Sequence, residues 1–214
     1  MYAIGKRQWT LALSAAATIG VGLLIALIPN QGAALIAFAT RVAPGLRGGS
    51  IHVRNQALGA WLAQLATPNT NLLDFTVGVG GWGNVGIGLV LGLLGWYLYR
   101  HRSTPLTAAG MSTVILLALL AGPISWDHYL SWAVIPVVLL SQRLHGRQRL
   151  LLGACALLLA FPVSYLTPEI VAAQGWLRIL TGTQTLALLG MALLAIASTR
   201  PAPAPEIRTV SAPG

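Results

Sequence analysis

The stretch VGVGGWGNVGIGLVLGLLGWYLY, Val77–Tyr99, decides the class of the fold. Its 23 residues carry no charge, and apolar and glycine residues fill it on every side rather than along one stripe. A helix that is apolar all round is buried in a large core or crosses a membrane. A crossing needs ~20 such residues. Working outward, five more apolar blocks appear: Gln8–Ile28, Leu106–Leu120, Ser125–Ser141, Leu150–Leu166 and Trp176–Ser198. The third and fourth blocks in chain order are short and draw on the linker between them, which extends the third to residue 122. That places Trp126, Asp127 and His128 in the first turns of the fourth helix.

Composition agrees. The 214 residues are 56% hydrophobic, only 8% are charged, and the mean hydropathy is +0.74. A soluble domain carries about 25% charged residues. The ~10-residue alternating strands of a membrane barrel are missing. The expectation is an all-α polytopic membrane protein of six spans, near residues 8–28, 77–99, 106–122, 125–141, 150–166 and 176–198. A single transmembrane domain, 1–199, precedes a disordered tail, 200–214, opened by the Pro-Ala-Pro-Ala-Pro run at Pro201.

Charge orients these spans. Lys6, Arg7, Arg100, Arg102, Arg143, Arg147, Arg149, Arg200 and Arg208 fall on one side. Arg41, Arg47, Arg54 and Arg178 fall on the other, with Asp74, Asp127 and Glu169. The positive-inside rule makes the nine-residue side cytoplasmic. Both termini then lie inside. The net charge of +9 is mainly a topology signal, and without a basic stripe it argues against nucleic acid. The apolar part of the first block, ~20 residues, exceeds the 7–15 of a signal-peptide core, which favours an uncleaved span. The single Cys155 sits mid-span as packing. One Lys against twelve Arg reads as a high-GC bacterial coding bias, hence a bacterial plasma membrane.

The outer loop, 29–76, is too long for a plain connector. Two short helices fit within it, Ala33–Val42 and Asn55–Ala66. The second carries Leu58, Trp61, Leu62 and Leu65 on one face, which suits an interfacial helix lying on the bilayer. Pro44-Gly45 and Gly48-Gly49 break the chain between them. Gly78-Val-Gly80-Gly81-Trp-Gly83 matches a dinucleotide fingerprint but opens an apolar span instead of following a strand, so the match is set aside. Gly88 and Gly92, four apart, read as a helix-packing face.

His52, His101, His128 and His145 make no metal-ligand spacing, the four acids are isolated, and no cofactor is implied. What remains is Pro-Ile-Ser-Trp-Asp-His-Tyr-Leu, Pro123–Leu130, at the mouth of two spans. Two readings of it stand. Trp126 and Tyr129 are belt aromatics and Asp127 favours a helix start, or the cluster handles an anion, with His128 at a helix N-terminus. His52, Arg54, Asn55 and Gln56 in the long loop offer further donors on the same side. Asn55 also reads as an N-cap.

With His-Val-Arg-Asn-Gln at His52–Gln56 upstream, Pro123–Tyr129 resembles the polyprenyl-phosphate-mannose-dependent alpha-mannosyltransferases of the GT-C class, glycosyltransferase family 87. The chain departs from the family pattern at Ala57 and Gly122, where serine is common. The resemblance implies transfer of mannose from polyprenyl-phosphate-mannose to a glycan or glycolipid hydroxyl at the outer leaflet, among membrane lipid, without nucleotide or obligatory metal. It implies that His128 contacts the donor phosphate, that Trp126, Asp127 and Tyr129 shape the pocket, and that Asn55 and Gln56 position donor or sugar. Arg54 as a phosphate partner follows from its charge and place. The resemblance covers the second half of a typical member. The family's general base is an acid in the first outer loop, where this chain has only Asp74. The expectation is therefore a donor-binding C-terminal half, needing a separate N-terminal half. A non-catalytic membrane partner or remnant, and a carrier of lipid-linked sugar, are the alternatives. A carrier would show helices broken near the midplane, for which Pro136 and Pro162 are the candidates.

Overall fold

The computed structural model describes residues 9–26, 31–42, 49–67, 71–74, 76–104, 107–161 and 175–199. Every regular element among them is helical. Lys6, Arg7, Pro44-Gly45, Arg47, Pro162, Glu169 and the expected tail 200–214 lie outside the described residues.

Helix α1 is Trp9–Ala26, and α2, Gln31–Ala37, runs into a π-helical turn at Phe38–Val42. Then come α3 (Leu58–Ala66), α4 (Gly81–Arg100) and α5 (Ala108–Ala121). Thr107 caps α5, its hydroxyl accepting from the Gly110 N–H at 3.1 Å. A four-residue helix α6, Asp127–Leu130, passes through a 3₁₀ turn at Ser131–Ala133 into α7, Val134–Ser141. Pro136 has no N–H for the Trp132 carbonyl, which accounts for the tightened turn just before it. Helix α8 is Gly146–Ala160, and a 3₁₀ segment, Gly175–Gly182, leads into α9, Thr183–Ala197.

Helix α5 is the centre. It packs against α4, α7 and α9, while α8 lies on α7 and α9. Leu116, Leu117 and Leu120 meet Leu140, Leu188 and Met191 in the main core. Ala187, Ala192 and Ala195 are buried along α9, and such small side chains let helix backbones approach closely. Helix α1 differs: Trp9, Leu13, Ile19, Val21, Leu24 and Ile25 are all exposed. A second, smaller core gathers Ile51, Val53, Ala57, Ala60, Leu72 and Val79 beside α3.

Among the described residues, two helical stretches are long and apolar enough to cross a bilayer, Gly81–Arg100 and Leu177–Ala197. Helix α5, with 14 residues, rises only ~21 Å against a hydrocarbon core of ~30 Å. Boundaries shift for local reasons. The second block becomes helical at Gly81 rather than Val77, because Val77 and Val79 turn into the small core and the Val77 carbonyl accepts from Ile51 N at 3.0 Å. The fifth starts at Gly146 rather than Leu150. Arg147, Gln148 and Arg149 are good helix formers, and Arg149 reaches back to the Ser141 carbonyl at 2.7 Å.

Two expectations are corrected. The apolar face of α3 is not laid on a surface. Trp61 and Leu62 pack against the main core, Leu58 belongs to it, and the opposite face, Ala60 and Ala63, fills the small one. Nor are Gly88 and Gly92 a packing face, since a Cβ on either would meet nothing within 4 Å. The close crossing lies one turn earlier, between α3 and α4. A Cβ on Gly86 would stand 2.5 Å from the Gly59 Cα, and one on Gly59 would stand 2.8 Å from the Gly83 Cα.

Candidate functional site

The two motifs singled out in the sequence are bonded directly to each other, through residues 68 to 70 apart in the chain. The Asn55 side-chain amide donates to the Pro123 carbonyl at 3.1 Å and to the Ser50 carbonyl at 2.8 Å. Its Oδ1 accepts from the Ser125 N–H at 2.9 Å and the Ala57 N–H at 3.2 Å. The Gln56 N–H donates to the Ser125 carbonyl at 2.9 Å. Ser125 in turn donates its hydroxyl to the Leu119 carbonyl, tying the motif to the end of α5. Gly49, at φ 61°, passes so near that a Cβ would stand 2.8 Å from the Pro123 carbonyl oxygen. Only glycine suits both that angle and that approach.

Behind Asn55 stands a layer of buried amides. Gln56 Nε2 donates to the Val53 and Thr181 carbonyls at 2.7 and 3.1 Å, and its Oε1 accepts from the Thr185 N–H at 3.2 Å. The Thr185 hydroxyl donates to the Gln56 carbonyl at 2.9 Å. Gln64 Nε2 donates to the His52 and Asn55 carbonyls at 3.1 and 3.3 Å, and the Thr181 hydroxyl donates to Gln64 Oε1 at 2.8 Å. Arg178, buried, donates to the Gln64 and Thr67 carbonyls at the end of α3, where a cation suits the helix dipole. Loop, Pro123–Ser125 linker and the head of α9 thus form one hydrogen-bonded unit.

This arrangement changes the roles expected of the loop residues. Asn55 is 0% and Gln56 1% exposed, and both donors and the acceptor of each amide are engaged within the protein. They hold the linker in place and have no free group for a ligand. Asn55 is not an N-cap either: α3 starts at Leu58, and the capping position is Ala57. His52 is buried as well, and its Nδ1 accepts the Arg54 N–H at 3.1 Å. That bond requires Nδ1 to be unprotonated, which places the proton of a neutral ring on Nε2. Arg54 alone of the four is exposed.

Across the linker the opposite holds. His128 and Tyr129 are exposed, and Trp126 is half-buried. The His128 ring stacks obliquely on Tyr129, centroids 4.3 Å apart, and meets Trp126 edge to face at 5.9 Å. The imidazole is therefore placed by two aromatic neighbours on an exposed residue. Asp127 opens α6, but its side chain lies outside the described residues. Asp74 sits in its own turn. Its Oδ1 accepts from the Thr76 hydroxyl at 2.6 Å and the Thr76 N–H at 2.8 Å. Those bonds, the hydroxyl's first, hold its carboxyl below the usual range.

A cavity of about 480 Å³ adjoins the linker, walled by the starts of α3 and α4 and the Ala121–Pro123 end of α5. A second, apolar one of about 320 Å³ opens between α7 and α8, next to Leu130 and Ser131. Among the described residues no three His, Cys, Asp or Glu side chains converge as a metal site would need.

Sequence reading missed Gln64, Arg178, Thr181 and Thr185. The signal was present as Thr181-Gly-Thr-Gln-Thr185, a polar run at the head of an otherwise apolar block. No family model, no curated protein and no solved structure matches the chain.

Proposed function

We propose that this chain is the donor-binding half of a membrane glycosyltransferase of the GT-C class, transferring mannose from polyprenyl-phosphate-mannose to a glycan or glycolipid. The observation that carries this reading is the exposed His128, framed by Trp126 and Tyr129 on a linker that Asn55 and Gln56 clamp at both Pro123 and Ser125. A phosphate-binding imidazole needs an exposed side chain and a backbone that does not move. His128 has the first, and the clamp supplies the second.

The acceptor oxygen forms a bond to the sugar's anomeric carbon as that carbon's bond to the phosphate oxygen breaks; polyprenyl phosphate leaves, and the acceptor hydroxyl's proton goes to a base. His128, protonated or donating from a neutral ring, stabilises the leaving phosphate. Arg54, exposed on the outer loop beside Asn55, adds positive charge. In place of direct contacts, Asn55 and Gln56 take a positioning role. Asp74, its pKa lowered by the Thr76 bonds, is a weak match for proton abstraction near neutral pH, and in this reading the base comes from elsewhere. An outer-loop acid on a separate N-terminal half is the proposed source.

The same reading makes the chain a six-span protein of a bacterial plasma membrane with both termini cytoplasmic. Support comes from the charge asymmetry, from the two long apolar helical stretches among the described residues, and from α1, whose exposed large side chains are all apolar and suit lipid.

The test is donor binding in detergent. His128→Ala should weaken binding of polyprenyl-phosphate-mannose by about tenfold to over a hundredfold, the 1.5–3 kcal/mol typical of a hydrogen bond to a charged group. Equal binding by wild type and variant removes His128 from the site.

A further inference from the structure

The glycine-rich entry to α4, Gly78-Val-Gly80-Gly81-Trp-Gly83, has no dinucleotide to bind, yet it walls the 480 Å³ cavity. We infer that this cavity is a subsite for an uncharged hexose ring, held by the Asn84 amide and by backbone groups of the glycine segment. The inference rests on the glycosyltransferase reading for the sugar's identity, but the cavity's chemistry is its own.

Three observations carry it. The volume lies at the lower end of the ~300–1,000 Å³ usual for small-molecule sites. That is ample for one sugar ring. Its walls, including Gly59, Gly80, Gly83, Ala121 and Pro123, hold no Asp, Glu, Lys, Arg or His. A phosphate would find no counter-charge there, whereas hydroxyl groups need only amide donors and acceptors. And Asn84 is the single amide side chain in an apolar helix, exposed at the cavity wall, with no hydrogen bond among the described residues.

Position supports the same assignment. Pro123 walls the cavity and stands five residues before His128 on the clamped linker. Five residues span at most ~18 Å, so a sugar in the cavity and a phosphate at His128 fit one donor or one donor–acceptor pair.

The experiment uses the full chain in a detergent without a sugar headgroup, with methyl α-mannoside and polyprenyl phosphate as separate probes. Binding is read by ligand-detected NMR. Asn84→Ala should weaken methyl α-mannoside roughly fivefold, the worth of about one hydrogen bond, and leave polyprenyl phosphate unchanged. Ala121→Phe, which fills the cavity, should abolish mannoside binding, with retained polyprenyl phosphate binding showing that the variant is folded. Mannoside binding that survives both substitutions, or none in wild type at millimolar concentration, overturns the subsite. Should Ala121→Phe fail to fold, the Asn84 result alone decides. Intact polyprenyl-phosphate-mannose then separates the sources. If Asn84→Ala weakens it, the ring is the donor's; if it binds as before and mannoside still adds to the loaded protein, the ring is the acceptor's. Failure of wild type to bind polyprenyl phosphate at all sinks the function proposed above, while the mannoside result still judges the cavity.

Discussion

Asn55 Oδ1 accepts the backbone N–H of Ser125 at 2.9 Å, across 70 residues of chain. The linker that presents His128 has no regular structure from Gly122 to Trp126, so its backbone groups must be satisfied from outside. Asn55 satisfies two of them and fixes the spacing between loop and helix end in doing so.

Asn55→Ala should therefore act through the fold. It strands the Ser125 N–H and the Pro123 carbonyl, along with Ala57 N and Ser50 O. An unsatisfied buried group costs about 1–3 kcal/mol, with partial relief from water, and the variant should lose about 2–4 kcal/mol of stability. Thermal unfolding in detergent measures it. The control is Asn71→Ala, whose exposed side chain serves, among the described residues, the Leu73 N–H of its own turn. Equal melting of both variants would remove the clamp.

The α3–α4 crossing separates glycines that look alike in sequence. Gly86→Ala puts a methyl against the Gly59 backbone, which cannot yield as a side chain would. It should cost about 1–3 kcal/mol as an overpacked contact. Gly88→Ala meets open space and should be neutral or slightly stabilising, since alanine is the better helix former by about 1 kcal/mol. The pair is compared by unfolding midpoint. A tolerant Gly86 means that α3 does not sit on α4 in solution.

That contrast marks where the sequence was readable. Apolar runs declare helices such as α4 and α9 because nothing polar competes along them. The Gln56–Thr185 and Gln64–Thr181 bonds join residues 129 and 117 apart. The polar run Thr181–Thr185 marks one end of these bonds, but pairing it with Gln56 and Gln64 depends on the tertiary fold and is written in no local pattern. The same holds for His52. Its place beside Arg54 and Asn55 suggested a ligand contact, while its burial follows from the folding of the whole loop segment, in which its neighbours Ile51 and Val53 join the small core. Tyr129 and His128 kept their surface position because α6 begins at Asp127, close to where the short third and fourth blocks had to share their linker.

Orientation is testable with single cysteines on a Cys155→Ala background. Leu73, exposed in the loop before α4, should react as Leu73→Cys with an impermeant thiol reagent in intact cells. Ser103→Cys, exposed just after α4, should react only once the membrane is opened. The expectation rests on nine basic residues facing four. Reversed labelling would turn the molecule over and place His128 on the cytoplasmic side.

Asp74 is the last acid to settle. Two bonds from Thr76 lower its pKa, the hydroxyl's being the larger cause, against an ordinary value of 3.8. The sign follows directly. A depressed carboxyl adds stability that is present above the unfolded value and is lost as pH falls through the folded one. The turn should thus be indifferent to pH between about 5 and 8 and should loosen only in acid, below 3.8. A carboxyl-detected NMR titration should place the Asp74 midpoint under 3.8, and Thr76→Ala should move it upward. A general base near neutral pH requires the opposite shift, toward the working pH. An Asp74 midpoint above 5 would make it a credible base and remove the need for an acid from a second polypeptide.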